Sequence, residues 1–253
     1  MIKTKAKKSE PKFYCKSKDS KLTYTYDDNF IYATDAKGTR RLDLFEDHYY
    51  KLRVFNGIPI LEIDGLRMQL VRDFETPLDY AKEVVKGLKI PETRHPIYSV
   101  LDTCMGLGYT ATEAAKQKSV KKVITCEISE AVILLAKWNP FSEALFDETK
   151  ESKIEVLQGS IFEKIQTFKS ESFDFIIHDP PRFSHAPELY SPEFYAELYE
   201  ICKKGARIFH YVGLVGAKKG RKIEEEASKA LEAVGFKELR FSSKLKGIFA
   251  NRL

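Results

Sequence analysis

The segment Val100-Leu101-Asp102-Thr103-Cys104-Met105-Gly106-Leu107-Gly108-Tyr109-Thr110 is an apolar run that stops at an acid, turns through two glycines and opens a stretch of helix formers. A strand that turns through glycine into a helix lets a ligand approach the main chain closely and presents free N–H groups to it. The same pattern commits the chain to a parallel βα unit, because the next strand must return on the other side of a covering helix. Of all the features in this sequence, this one leaves the fewest folds open.

The downstream sequence agrees with it. After Pro96 the pattern alternates: strand Tyr98 to Cys104, helix Tyr109 to Lys118, strand Lys122 to Ile128, helix Glu130 to Trp138, strand Ile154 to Gln158, helix Phe162 to Phe168, strand Phe173 to His178. Then come helix Pro192 to Lys203, strand Arg207 to Val212 and helix Arg221 to Val234. The last two strands, Phe236 to Ser242 and Gly247 to Arg252, have no helix between them and predict an antiparallel final hairpin. The expected fold class is therefore α/β, a Rossmann-like seven-stranded sheet over residues 97–253. Ahead of it, residues 21–75 alternate β-branched or aromatic with polar residues and predict a small β-rich domain. That domain includes a hairpin of Tyr50 to Phe55 with Ile58 to Ile63 across Asn56-Gly57. A linking helix is expected in residues 76–96, where Leu78, Ala81, Val84, Val85 and Leu88 have helical spacing.

Residues 1–20 form a basic arm, with Lys3, Lys5, Lys7, Lys8, Lys12, Lys16 and Lys18 against Glu10 and Asp19, an excess equal to the whole net charge of +5. Such an arm is able to neutralise phosphates, and it supports an expectation of RNA as partner; a solvated tail has the same composition. No apolar run approaches the roughly 20 residues that span a bilayer, and the Lys-rich start has no signal-peptide core. A cytoplasmic protein is expected, and nothing indicates its oligomeric state. The four cysteines lie far apart without CxxC pairs or clustered histidines, so no metal site is expected.

Two acids refine the glycine turn. Asp102 ends the first parallel strand, where a carboxylate would meet a cationic amino group, and Glu127 ends the second, where it would accept both hydroxyls of a ribose. Together with Cys104, Gly106, Gly108, Tyr109 and Thr110 they describe a site for a nucleoside that carries an amino acid. The spacing Gly106-x-Gly108-x-x-Ala111 also fits a dinucleotide fingerprint, so a nicotinamide oxidoreductase is the alternative on this segment alone.

A second edge follows strand Phe173 to His178, where Asp179-Pro180-Pro181-Arg182-Phe183 ends the run abruptly. Ligands of open α/β sheets sit outside the carboxyl ends of the strands, which places Asp179 across from the cofactor. The prolines free a carbonyl from the strand ladder, and a carboxylate and carbonyl aimed into one pocket are able to orient an amine. Arg182 or Phe183 would stack on a planar substrate. His185 and Tyr190, in the loop beyond this edge, and His210, at the end of the next strand, are further candidate substrate contacts. Lys218, Lys219, Arg221 and Lys222 form a basic cluster beyond it.

From Ser99 to the C-terminus these residues resemble the class I S-adenosylmethionine-dependent methyltransferase family, with Cys104 in place of the first glycine of its acid-x-Gly-x-Gly-x-Gly motif. The resemblance implies S-adenosylmethionine as cofactor, Glu127 on its ribose and Ile128 against its adenine. It implies Ser160 or the amide of Ile161 at the adenine amino group, where the family often has an acid. The Asp179-Pro180-Pro181 run resembles the Asp/Asn/Ser-Pro-Pro-aromatic motif of amino-methylating nucleic-acid enzymes, with Arg182 in the aromatic's place. Together with Leu61 to Met68, the segments Leu101 to Thr110 and His178 to Ser184 look like a group of predicted archaeal methyltransferases, which implies ribosomal or transfer RNA as substrate.

On this reading the protein is an RNA methyltransferase acting on an exocyclic base amine, cytosine N4 or guanine N2, with the base unstacked into the pocket. Carbon methylation needs a cysteine nucleophile. Cys202, the cysteine downstream of this edge, falls on an expected helix. The rivals are a methyltransferase of a protein or small molecule, the oxidoreductase, and a binding module without turnover.

Overall fold

The structure, a computed structural model, describes residues 22–91, 98–149, 151–213 and 217–253. The basic arm of residues 1–20, and the side chains of Lys218, Lys219 and Arg221, lie outside the described residues.

The β-rich region is two antiparallel sheets. Strands β1 (Thr23–Tyr26), β2 (Ile31–Asp35) and β3 (Gly38–Arg41) form a meander, and β4 (Asp43–Phe45), β5 (Tyr49–Phe55), β6 (Ile58–Ile63) and β7 (Leu66–Arg67) form a four-stranded sheet. Leu42 stitches them together: its N–H donates to the Ile31 carbonyl (2.8 Å), its carbonyl accepts from Leu52 N–H (3.0 Å), and its side chain is buried. The β5–β6 hairpin has the expected register, Phe55 opposite Ile58. Asn56 and Gly57 take φ of 47° and 81°, the left-handed pair that a two-residue turn needs to follow the strand twist. Pro59, Ile60, Leu61 and Glu62 of β6 are all buried, so this strand is covered on both faces and is no solvent edge.

Helix α1 (Pro77–Gly87) starts at a reciprocal cap. Thr76 Oγ1 accepts from Asp79 N–H (3.3 Å), and Asp79 Oδ2 accepts from Thr76 N–H (3.1 Å), while Pro77 fills the first helical position. The cap fixes which face turns inward, namely Tyr80, Ala81, Val84 and Val85.

The large sheet contains β8 (Tyr98–Asp102), β9 (Val120–Glu127), β10 (Ile154–Gln158), β11 (Phe173–His178), β12 (Cys202–Tyr211), β13 (Lys237–Ser242) and β14 (Gly247–Asn251), in the order β10-β9-β8-β11-β12-β14-β13. Pairing is parallel from β10 to β12, and β14 runs antiparallel to both β12 and β13. Helices α2 (Tyr109–Ala115), α3 (Glu130–Trp138), α4 (Ile161–Lys164), α5 (Pro192–Ile201) and α6 (Ala217–Val234) connect them. The period of two along each strand divides the core. Val100, Phe175, Ile177 and Phe209 join the α2 and α3 side, whereas Leu101, Ile176 and Ile208 join Phe194, Leu198 and Leu231 from α5 and α6. The first of these cores continues without a break into Tyr24, Leu42, Leu52 and Leu61 of the β-rich sheets. Each fully buried aliphatic side chain there contributes roughly 1.5–3 kcal/mol over exposure, so the N-terminal sheets and the parallel sheet share their hydrophobic stabilisation.

Several expected boundaries move, most of all around β12. The helix expected to reach Lys203 ends at Ile201, and β12 begins at Cys202 rather than Arg207. Residues 203–206 bulge out between the pairs Phe173–Cys202 and Phe175–Arg207, with Gly205 at φ 78°. This polar, glycine-bearing bulge has the composition of a loop, which conceals the strand. Cys202 is therefore buried on a strand, not on a helix. The helix expected over Phe162 to Phe168 is a single α turn, α4, continued by a 3-10 turn at Ile165–Thr167.

Candidate active site

The strand ends Asp102, Glu127 and Asp179 meet where β8, β9 and β11 lie side by side, outside the carboxyl edge of the sheet. The glycine turn builds the floor. Gly106 and Gly108 have φ of 53° and 70°, and a Cβ on Gly108 would lie 2.2 Å from Leu145 Cδ1. Both conformation and space therefore require glycine at position 108. Cys104 is not among the residues with positive φ, so an ordinary side chain is accommodated in that place. Glu127 is clamped by main chain: Oε2 accepts from Gly106 N–H and Oε1 from Ser129 N–H, each at 3.0 Å. Burial raises its pKa, opposed by these N–H groups. Each carboxylate oxygen keeps a lone pair for a further donor.

These residues line a cavity of about 140 Å³ together with Cys104, Tyr109, Thr110, Asp179, Pro180 and Pro181. Its other wall comes from the N-terminal region: Leu61 and Ile63 of β6, Met68 and Gln69 beyond β7, and Pro77 and Tyr80 of α1. Among the described residues no lysine, arginine or histidine lines it, whereas Glu127 and Asp179 do.

Asp179 Oδ2 accepts a hydrogen bond from the Tyr80 hydroxyl at 3.0 Å. Burial pushes the pKa of Asp179 up to about 7, and the tyrosine bond, which favours the charged form, opposes the rise. Behind it the prolines are anchored by the Tyr190 hydroxyl, which donates to the Pro181 carbonyl (2.9 Å). His178 donates from Nε2 to the Leu189 carbonyl and accepts at Nδ1 from Thr103, both at 2.8 Å, and its ring stacks on His210 at 4.5 Å. His210 in turn accepts from the Tyr195 hydroxyl (2.8 Å). Burial lowers the pKa of both rings, that of His178 to about 4, so both are neutral near pH 7.

Several expected site residues lie elsewhere. Asp102 is fully buried beneath the cavity, its oxygens occupied by the hydroxyls of Thr110 (3.0 Å) and Thr125 (2.6 Å), so it meets no ligand directly. Its pKa rises to about 7, through burial opposed by those hydroxyls. His210 belongs to the buried network and Tyr190 to the support of Pro181. Phe183 is half-exposed against Tyr190 and lines neither this cavity nor its larger neighbour. Ser160 caps α4 and Ile161 is buried beside it; neither borders these cavities. Ile128, Arg182 and His185 line the neighbouring cavity of about 660 Å³, which shares Glu127, Pro180, Pro181, Gln69 and Ile63 with the first and extends over Arg67 and Arg72. The lining residues that sequence reasoning misses are Leu61, Ile63, Met68, Gln69, Pro77 and Tyr80 on the N-terminal wall and Met105, Leu107 and Val132 beside the glycine turn. The only trace of the N-terminal wall is the Leu61 to Met68 segment, which by itself reads as an accessory strand.

Fold and cavity together define a Rossmann-like protein with a ligand-sized cleft at the switch point of its sheet. Comparison with known proteins names the family. Residues 56–232 match the spermine/spermidine synthase domain, and the chain belongs to that family. It is 38% identical over 225 residues to an uncharacterized protein of Methanocaldococcus jannaschii, covering 88% of this chain and 74% of that protein. It is 32% identical over 127 residues to the polyamine aminopropyltransferase of Saccharolobus solfataricus, covering 48% of this chain and 40% of that enzyme. In fold it matches a spermidine synthase bound to a transition-state analogue, with a TM-score of 0.66 and 21% identity over 83% of this chain and 73% of that one. The spermidine synthase of Thermotoga maritima matches with a TM-score of 0.63 and 20% identity over 94% and 81%.

The family match overturns the expectation of an RNA methyltransferase, and with it RNA as the partner and methyl transfer as the chemistry. The α/β fold with its Rossmann-like sheet and N-terminal β-rich region stands. Among the described residues no helix is long and apolar enough to cross a membrane, and no three histidines, cysteines or acids cluster as metal ligands.

Proposed function

We propose that this chain is an aminopropyltransferase, moving the aminopropyl group of decarboxylated S-adenosylmethionine to an amine, the type of reaction for which its polyamine relatives are named. One observation carries the reading: the cavity at the glycine turn is lined by two carboxylates and by no cationic side chain among the described residues. S-adenosylmethionine has a carboxylate that such a wall offers no cation to meet. Its decarboxylated form has only a sulfonium and an ammonium, and both are attracted by Glu127 and Asp179.

In this reading Glu127 accepts the ribose hydroxyls with its remaining lone pairs, and Ile128, which is exposed at the mouth, packs on the adenine. The Gly106–Gly108 turn lets the nucleoside approach the main chain, and Tyr109 and Thr110 close the site at the helix start. The acceptor nitrogen enters by Asp179 and the Pro180 carbonyl. Its lone pair forms a bond to the propyl carbon attached to sulfur. That carbon–sulfur bond breaks, and its electron pair leaves on sulfur as neutral 5′-methylthioadenosine. The proton lost from nitrogen passes to Asp179. A carboxylate with a pKa of about 7 is well matched to that task at neutral pH, because about half of it is ionised before the step and it is basic enough to take a proton from an ammonium-like centre. Asp102 acts as a positioning residue, tying the start of α2 to β9 through Thr110 and Thr125.

The test is incubation of the full chain with decarboxylated S-adenosylmethionine and a panel of amines, with release of 5′-methylthioadenosine as readout. Release that depends on an amine, with little or none from S-adenosylmethionine, supports the proposal. Asp179→Asn is expected to abolish release while nucleoside binding persists. Turnover of S-adenosylmethionine alone would overturn the proposal.

A further inference from the structure

The second cavity differs from the first in charge. It opens from the donor site past Pro180 and Pro181, and its wall carries Arg67, Arg72, Arg182, His48 and His185. It has two acids, Asp64 and Glu127, against three arginines. Asp64 accepts from His48 Nδ1 (2.6 Å) and from Tyr49 N–H (2.9 Å), and Glu127 is held by two main-chain N–H groups. Arg67 lies 3.6 Å from Glu62, but that one buried carboxylate also serves Lys51 (3.4 Å) and Arg53 (3.1 Å). Arg72 and Arg182 form no ion pair among the described residues and are exposed.

This wall is a poor receptor for a linear polyamine, whose second and third ammonium groups would be driven against guanidinium groups. It suits an oxyanion, because the guanidinium fork donates two parallel hydrogen bonds to a carboxylate or phosphate. Arg182 stands three residues beyond Asp179, on the same di-proline edge. A molecule that offers its amine to Asp179 would therefore carry its other end past Pro181 towards that cation. We propose that the acceptor is an amine that also bears an oxyanion, carboxylate or phosphate, held by Arg72 and Arg182, with Arg67 adding positive potential. The proposal rests on the aminopropyl-transfer reading for its amine, but the charge preference of the cavity is measurable without turnover.

The experiment is calorimetry on the full chain, first with 5′-methylthioadenosine alone, then with inorganic pyrophosphate, glutarate and spermidine, each against protein with and without the nucleoside. Pyrophosphate and glutarate stand for the two oxyanion classes. The expected result is that at least one anion binds and spermidine does not, and that the double variant R72Q/R182Q binds the anion at least ten-fold more weakly. The better anion assigns the class. An unchanged midpoint of urea unfolding for R72Q/R182Q shows that the variant is folded, a readout independent of the nucleoside, whose adenine lies against Ile128 in the same cavity. Tighter binding of spermidine than of either anion overturns the proposal. So does the absence of anion binding, or anion binding that R72Q/R182Q leaves intact. Failure of 5′-methylthioadenosine to bind would remove the donor reading instead, and the anion titration of the unliganded protein would still decide this one.

Discussion

Replacing Tyr80 by Phe isolates one hydrogen bond at the proposed base. The hydroxyl donates to Asp179 Oδ2 at 3.0 Å. The ring is buried and meets Phe74 edge-on at 5.4 Å, so phenylalanine keeps the packing. A hydrogen bond to a charged acceptor contributes about 1.5–3 kcal/mol, which corresponds to roughly one to two pKa units. The bond stabilises the carboxylate, so its loss raises the pKa of Asp179 above the present value of about 7, to roughly 8 to 9. Only the ionised form accepts a proton, so the acid limb of kcat/KM moves to higher pH by the same amount. At pH 7, where about half of the wild-type carboxylate is ionised, the variant is about five- to fifty-fold slower, and the two rates converge well above pH 9. The assay is 5′-methylthioadenosine release across pH 5 to about 10, read at substrate concentrations well below saturation. A uniform loss of rate with an unmoved acid limb would refute the assignment of that limb to Asp179.

Gly108→Ala is expected to destabilise the fold by more than Gly57→Ala, read as the midpoint of urea unfolding. Both glycines have positive φ, 70° and 81°, but only at Gly108 does the new methyl collide, 2.2 Å from Leu145 Cδ1. The shared conformational part is about 1–3 kcal/mol. Asp102→Asn is expected to become relatively more stable than wild type as pH rises. The folded pKa of Asp102 is about 7 against an ordinary 3.8, so its stabilising contribution is complete below the unfolded value and is lost as pH climbs through the folded one. The span is roughly 4 kcal/mol, and urea titrations at pH 4.5 and about pH 8 would read the difference. Glu127→Gln removes the charge from the ribose-facing acceptor and is expected to weaken 5′-methylthioadenosine binding by about 10- to 100-fold in calorimetry; unchanged affinity would take Glu127 out of the donor site.

Much of the parallel sheet is legible in the residues because its signals are local. Apolar runs bounded by glycine or by an acid mark β8, β9 and β11, and an Asn-Gly pair marks the β5–β6 turn. The start of β12 is not legible, since residues 203–206 leave the ladder as a polar bulge and only the pairing of Phe173 with Cys202 reveals the strand. Site membership shows a similar divide. Gly106, Gly108, Glu127 and Asp179 follow from position at strand ends, a property of the chain in one dimension. Asp102 has the same position and a different fate, because Thr110 and Thr125 close over it, and neither hydroxyl stands out as a partner in sequence. Tyr80 is 99 residues from Asp179; no spacing rule connects a helix-face tyrosine with an acid at the far end of a sheet. The chemistry is hidden for a related reason. In the proposed reading a glycine turn with Glu127 takes the nucleoside, but what hangs from the nucleoside depends on the opposite wall of the cavity, and that wall is built by the N-terminal region.

Three carboxylates, Asp102, Glu127 and Asp179, thus end neighbouring parallel strands, and burial raises the pKa of each. What separates them is the source of their hydrogen-bond donors. Asp102 takes its two from side chains of α2 and β9, and is closed to any ligand. Glu127 takes main-chain donors from the glycine turn and from the start of α3, which hold it still and leave it lone pairs. Asp179 takes its donor from Tyr80 of α1, a helix set in place by the Thr76–Asp79 cap, immediately after the strands that form the far wall of the cavity. The proposed base is therefore tuned from outside the parallel sheet. If Asp179 were supported by the sheet alone, its pKa would stand higher still, because burial would act unopposed. The segment that leads from β7 into α1 then has two functions in one piece of chain: it walls the donor cavity with Met68 and Gln69, and it keeps the carboxylate that faces that cavity ionisable near neutral pH.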